Sequence, residues 1–386
     1  MTPRELTRTP QLLAVLGFMA FAGCESQAAP PPVVPVVAPA PPPTRAPVAQ
    51  VSQPPVPVEP APLPPPRPTT MALSVGADSS LDRELVAGDK AFEAGDLTGA
   101  QRAYEAARAL APRASAPLVG VARVRIARVD LPMDYAAGKG HAEIMAATTS
   151  LKQAVAIDPS FAPGVIELGR ALLLLGNAAD AVSSLRRGVE LAPSEAEAHS
   201  VLGVALLATG HADEALVELG RAAAIDPGSA ARHGNLGTAF FMNGRVDDAK
   251  KEYEAQVRLA AGDARAHSDL GAALLAGNDP ARAIAELRRA IELDPSRATF
   301  HSNLGYALQI QGALDDAVAE YRRAIALDAH LASAWINLAT ALSKNPKARG
   351  EARAALLEAR KIDATDPRVK ANLDELDALE HGTVAP

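Results

Sequence analysis

From residue 81 onward, apolar and small residues return at fixed places in blocks of 34 residues, with polar residues between them. The blocks at 196–229 and 298–331 show the pattern most clearly. Leu-Gly stands at the seventh and eighth positions, a turn near the fifteenth, Ala at the twentieth, a large side chain at the twenty-fourth and Ala at the twenty-seventh. Asp-Pro often follows at the thirty-first and thirty-second. The spacing predicts two helices per block: the small residues let them approach closely, and the large ones fill the space between successive pairs. Proline stops the second helix because it cannot donate to the preceding turn. Such a chain buries many small cores end to end rather than one closed core, so it offers a long surface in place of a pocket.

Five blocks run from 162 to 331 without an insertion. Leu168-Gly169, Leu202-Gly203, Leu236-Gly237, Leu270-Gly271 and Leu304-Gly305 mark their first helices. Ala181, Ala215, Ala249, Ala283 and Ala317 mark the second, followed in phase by Leu185, Leu219, Tyr253, Leu287 and Tyr321. The register extends back through 81–114, with Gly88, Gly95, Ala100, Tyr104 and Ala107, and through a longer unit at 115–161. That unit's surplus, around 129–143, falls between its two helices and reads either as an elaborated binding edge or as a neutral loop. A last unit, 332–366, carries Trp335, Leu338 and Ala339 in phase and gains one residue near Asn345-Pro346. Residues 367–380 read as a polar-backed helix covering the apolar end, and 381–386 as a disordered tail.

These residues resemble the tetratricopeptide repeat family. The resemblance implies an all-α fold, a right-handed α-α solenoid of about eight helix pairs plus a C-terminal capping helix. It also implies that the first helices line a concave surface on which extended peptides or partner helices lie. At the sixth repeat position stand Asn235, Asp269, Asn303 and Asn337, preceded by Glu167 and Val201. This looks like the asparagine ladder of the peptide-binding repeats attached to certain glycosyltransferases, since an amide both donates to and accepts from a ligand's main chain. The competing reading is polar filler facing solvent.

His199, His233, His267 and His301 recur at the fourth position, where Trp335 stands in the last unit. Imidazoles invite a metal or pH-sensing role. Rings on successive helix pairs are expected roughly 10 Å apart, too far for one ion, so packing at the helix seam is the expectation. The family's carboxylate clamps use lysines and an Asn at the ninth position; Asp89, Arg170, Val204, Thr238, Ala272, Tyr306 and Thr340 do not match them. Arg186-Arg187, Arg288-Arg289 and Arg322-Arg323 recur on second helices, with Glu190 and Glu292 four residues beyond Arg186 and Arg288, which predicts pairing along a solvated face rather than a phosphate-binding stripe.

Composition narrows the function further. Aromatics are 3% of the 386 residues, so packing relies on Leu, Ala, Ile and Val. A formal charge of -7 and the lack of a domain-sized basic field argue against a nucleic-acid partner. The sequence has no His-Glu-x-x-His, no Gly-rich phosphate loop and no Gly-x-Ser-x-Gly, so neither catalysis nor a cofactor or metal is expected. Arg4 and Arg8 precede a 12-residue apolar stretch, Leu12 to Gly23, that is too short for a permanent membrane span and reads as an export signal over 1–23. Phe21-Ala22-Gly23-Cys24 resembles the lipobox of bacterial lipoproteins, with Phe21 where Leu or Val is usual and Glu25 following the cysteine. The resemblance implies lipidation at Cys24, the only cysteine. An ordinary secretory signal, giving a free periplasmic protein, is the alternative. Residues 24–80 are the mature N-terminus, and their stretch 30–68, rich in Pro, Ala and Val, suits an extended tether reaching on the order of 100 Å.

The expected protein is therefore a non-catalytic scaffold or assembly adaptor, anchored in a bacterial outer membrane, facing the periplasm and binding a protein or peptide segment. The resemblance points to assemblies such as a pilus secretin, a motility machine or a cell-wall hydrolase complex. Peptidoglycan or glycan binding is the alternative, and the repeat region of a glycosyltransferase-type enzyme a more remote one.

Overall fold

The computed structural model describes residues 71–74, 76, 79–129, 136 and 138–380. Cys24, the signal-like and proline-rich segments, residues 130–135 and 137 of the 129–143 surplus, and residues 381–386 lie outside the described residues.

Among the described residues there are seventeen α-helices and no strand. The first pairs are α1 (Ser80–Glu93) with α2 (Leu97–Leu110), α3 (Ser115–Ala127) with α4 (Ala142–Ile157), α5 (Ala162–Leu174) with α6 (Ala178–Leu191), and α7 (Ala196–Ala208) with α8 (Ala212–Ile225). Then come α9 (Ala230–Met242) with α10 (Val246–Leu259), α11 (Ala264–Ala276) with α12 (Pro280–Leu293), α13 (Ala298–Gln311) with α14 (Leu314–Leu327), and α15 (Ala332–Ser343) with α16 (Arg349–Ile362). A short 3-10 turn, Pro346–Ala348, takes up the extra residue before α16, and α17 (Pro367–Glu380) follows. The fold is the all-α solenoid that the 34-residue spacing predicts.

The turn inside each of the first seven pairs holds a left-handed residue. Gly210 supplies it at φ 79°, and in the sixth pair Asn278 takes the same role at φ 61°, a conformation asparagine tolerates better than most residues. The eighth-position glycines serve a different purpose. A Cβ on Gly203 would lie 2.4 Å from Cγ of Leu219, and one on Gly305 2.7 Å from the Tyr321 ring. The large residue of the second helix therefore lies directly on the first helix's backbone. Tyr104 also meets the next pair, for a Cβ on Gly88 or on Gly120 would come within 2.4 Å of its ring.

Each first helix contacts the first helix of the next pair as well as its own partner, whereas successive second helices make no comparable contact. The spacing is tighter along the first helices, so the stack bends toward that side and the first helices form its inner face. At the C-terminal end α17 packs on α15 and α16 with Val369 and Leu376 buried. In the longer second unit, the Ala136 and Gly138 amides donate to the carbonyls of Leu173 and Leu174 at 2.9 and 2.8 Å, which ties that stretch to the end of α5.

The N-terminal end is closed by chain rather than by a helix. Leu73 is 1% exposed, and its amide and that of Ser74 both donate to Oδ2 of Asp89 on α1, at 2.8 and 3.2 Å. The Tyr104 hydroxyl holds the other carboxylate oxygen at 2.8 Å. Asp89→Ala is expected to release residues 71–74, and Leu73→Ala to cost about 2–5 kcal/mol at this end of the stack. Amide hydrogen exchange confined to α1 and α2 is the measurement, and unchanged protection there would refute the closure.

On the second helices the arginines pair differently from the i,i+4 expectation. Arg187 and Arg289 reach Glu190 and Glu292 at i+3, 2.9 Å each. Arg186 instead bridges to Glu214 of the next pair at 2.6 Å, as Arg322 does to Glu351. The face is solvated and paired, partly between repeats.

Candidate functional site

The inner face divides into two stretches of different chemistry. Over α1 to α9 it carries a line of alternating charge. Arg123 on α3 lies 4.0 Å from Asp89 and 2.8 Å from Glu167 on α5. Arg170 lies 3.6 Å from Glu167 and 2.5 Å from Glu197 on α7. Arg232 on α9 closes the line, 3.2 Å from both Glu197 and Asp226. Asp89, Arg123, Glu167, Asp226 and Arg232 are all buried.

Burial alone would raise the Glu167 carboxyl, but Arg170, Arg123 and the hydrogen bond from Arg123 together hold it below the usual carboxylate range. Burial works against the charge on Arg170 too, and Glu167 and Glu197 overcome it and hold its proton more firmly. Each guanidinium is committed to carboxylates of this chain, so this stretch is a structural spine rather than an open site for charged ligands.

From α9 onward the face turns to amides and hydroxyls, and the sixth-position residues do not share one environment. Asn235 is half-buried and donates to the Ser200 hydroxyl at 3.3 Å, bridging α9 to α7. Asn303 is buried and approaches the Ser268 hydroxyl at 3.5 Å, the same bridge two pairs on. Asp269 is half-buried with Arg265 at 3.8 Å, and Asn337 is half-buried. Asn235 and Asn303 therefore lie along the seam between successive first helices, with Asn235, Asp269 and Asn337 half-buried and Asn303 turned into the stack. Near them stand Thr238, which receives the Tyr253 hydroxyl at 3.1 Å, and Tyr306, both half-buried. Burial drives the Tyr253 hydroxyl far above the usual phenol range, so it stays a donor.

The histidines sit at the helix seam, each with two polar partners. His199, His233, His267 and His301 approach Glu218, Glu252, Glu286 and Glu320 through Nδ1 at 2.6–2.7 Å. Those glutamates stand a constant 19 residues after the histidines, a signal present in the sequence and missed by motif reading. No group of three metal-binding side chains occurs among the described residues.

Two family profiles, both described as tetratricopeptide repeat, match the chain, one over residues 166–230 and 269–332 and the other over 206–276. No curated protein matches. Among solved structures, the Cut9–Hcn1 hetero-tetramer of the APC/C is similar with a TM-score of 0.59 at 16% identity, covering 78% of this chain. The chain spans 57% of that protein's length. PilF of Pseudomonas aeruginosa shows a TM-score of 0.48 at 21% identity over 56% of this chain and 98% of its own. YrrB, a tetratricopeptide repeat protein with an unusual peptide-binding site, shows 0.39 at 20% identity over 50% and 99%. Residues 166–332 of this chain are therefore tetratricopeptide repeats, and the helix pairs on both sides of them continue the same fold.

Proposed function

We propose that the array is a non-catalytic interaction scaffold that takes a segment of a partner protein on its inner face, between α9 and α16. The observation that carries this reading is the seat of residues 71–74: an irregular stretch of chain already lies against first helices α1 and α3, held through main-chain amides by Asp89 beside Arg123. The first helices of this protein thus accept main chain, and beyond α9 the inner face keeps Asn235, Asp269, Asn337, Thr238 and Thr340 partly open for the same purpose. In the same proposal Cys24 carries lipid, residues 30–68 tether the array, and the partner belongs to an assembly at a bacterial outer membrane, such as a pilus secretin, a motility machine or a cell-wall complex.

The test places photo-crosslinking side chains at Asn235 and Asn337, and at Glu190 on a second helix as control, in the full chain within its own cells. One partner captured from both inner positions and not from Glu190 is the expected result. Capture at Glu190 alone would overturn the inner-face reading. Fractionating the same cells reads the anchor, since Cys24→Ser is expected to move the protein from the membrane to the soluble fraction.

A further inference from the structure

The apolar core of the array is interrupted at the fifth pair. From α1 the buried side chains form one cluster that reaches Leu236 and Ala239 on α9. A second begins with Phe241 on α9 and with Ala249 and Tyr253 on α10, and runs to Leu376 on α17. In the neighbouring pairs the large residue of the second helix shares a cluster with the leucine of the first, Leu219 with Leu202 and Leu287 with Leu270. Leu236 and Tyr253 fall into different ones, and only the half-buried Phe240 packs against both.

Two departures from the repeat accompany the break. Gln256 stands at the twenty-seventh position, where the other seven pairs carry Ala or Gly. It is 6% exposed, and its Oε1 accepts no hydrogen bond among the described residues. Its amide lies against Gly234, whose Cβ would come within 2.7 Å of Nε2. Gly234 in turn replaces the serine that the fourth, sixth and seventh pairs carry at the fifth position, Ser200, Ser268 and Ser302. Ser200 and Ser268 each face an asparagine of the next first helix, Asn235 and Asn303. Gly234 has no hydroxyl to offer, and α11 brings Asp269 in place of that asparagine. The bridge is thus missing between α9 and α11, which is also where the contact between successive first helices is slightest.

We infer that the fifth pair is a built-in joint, at which α1–α9 and α10–α17 hinge as two bodies. The ties of α9 run backward: Arg232 reaches Glu197 and Asp226 at 3.2 Å, and Asn235 reaches Ser200 at 3.3 Å. Those of α10 run forward, through its share of the second core and through Glu254, which Arg282 on α12 holds at 3.0 Å. Across the break the side-chain bonds are polar, His233 to Glu252 at 2.7 Å and the Tyr253 hydroxyl to Thr238 at 3.1 Å. Water replaces such bonds at small net cost, and it also supplies the donor that the Gln256 carbonyl lacks, so parting here is cheaper than parting an apolar seam. Because each pair contacts only its neighbours, one soft junction lets the stretches on either side move without deforming. On the inner-face reading proposed above, Asn235 stands on one body and Asp269 and Asn337 on the other, so the joint sets the curvature that a partner segment would meet.

The experiment measures distance distributions between pairs of spin labels by pulsed dipolar EPR, in the full chain carrying Cys24→Ser so that only introduced thiols react. Ala179→Cys on α6 with Ala281→Cys on α12 spans the joint, and Thr98→Cys on α2 with Asp213→Cys on α8 spans the same number of pairs within the first body. All four positions are exposed on second helices. The distribution across the joint is expected to be at least twofold broader than the one within the body. Gly234→Ser, Gln256→Ala and Asp269→Asn together restore the pattern of the neighbouring pairs and are expected to narrow the first distribution to the width of the second, which itself stays unchanged. Equal widths in the otherwise unaltered chain overturn the joint, and so does a broad distribution that the triple variant leaves as it was. Should the triple variant not fold, the comparison of the two label pairs decides alone. No partner is added, so the outcome is independent of the inner-face reading, which the crosslinking tests separately.

Discussion

Glu167→Ala is expected to cost about 3–5 kcal/mol and to unfold the N-terminal pairs before the rest, because it leaves the buried Arg123 and the half-buried Arg170 without the carboxylate between them. Arg123 loses its 2.8 Å partner outright, and Arg170 loses the Glu167 end of its pairing while keeping Glu197. Urea unfolding followed by hydrogen exchange should show α3 to α7 losing protection while α13 to α17 keep theirs. A second variant separates charge from packing. Arg123→Met with Glu167→Leu removes both ends of one buried pair and is expected to recover much of the loss, since matched apolar groups avoid the desolvation that ions incur.

Acid should act on the same group. The Glu167 carboxyl is held below its ordinary value in the folded chain, so its contribution is present above the unfolded value near pH 4.5 and disappears as pH falls through the lower, folded one. Acid unfolding that begins in the N-terminal pairs is the expected pattern, and uniform loss across the array would contradict it.

The second large effect belongs to the packing of Leu219 on Gly203. Leu219→Ala empties a fully buried site and is expected to cost about 2–5 kcal/mol. Gly203→Ala forces a methyl group to within 2.4 Å of the Leu219 side chain and 3.3 Å of the Ala215 carbonyl, an overpacking worth about 1–3 kcal/mol, partly offset by alanine's better helix propensity. The double variant should be distinctly more stable than the sum of the two losses, since the new methyl occupies part of the space the leucine leaves. Strict additivity, measured by urea denaturation, would show that the two residues do not share one packing site.

Sequence reading reached the architecture because a 34-residue period is a physical constraint on every copy: Gly203 and Leu219 must meet, and so must Gly305 and Tyr321. It reached the closing helix α17 because polar backing over Val369 and Leu376 needs no knowledge of partners. The charged spine was not legible. Asp89, Arg123 and Arg170 share the ninth repeat position, but Glu167, Glu197, Asp226 and Arg232 come from four others, and Arg123 to Glu167 starts in the irregular second unit, so no single period links the line. The sixth-position residues were legible as a row but not in their exposure, because Asn303 and Asn235 differ only in how neighbouring helices cover them. The histidine–glutamate contacts lay between these cases: the rings were conspicuous and their glutamates equally periodic, yet only the fold brings positions four and twenty-three together.

The seat of residues 71–74 also sets how the array bears load. A pull applied through the chain upstream of Met71 would arrive at Leu73 and Ser74, whose hold is two amide hydrogen bonds to one carboxylate and one buried side chain. That is a peeling geometry, in which bonds fail one after another, rather than a shear that loads them together. The seat of residues 71–74 would therefore serve as a mechanical fuse, yielding at low force, while the helix pairs beyond it keep their shape and whatever they hold.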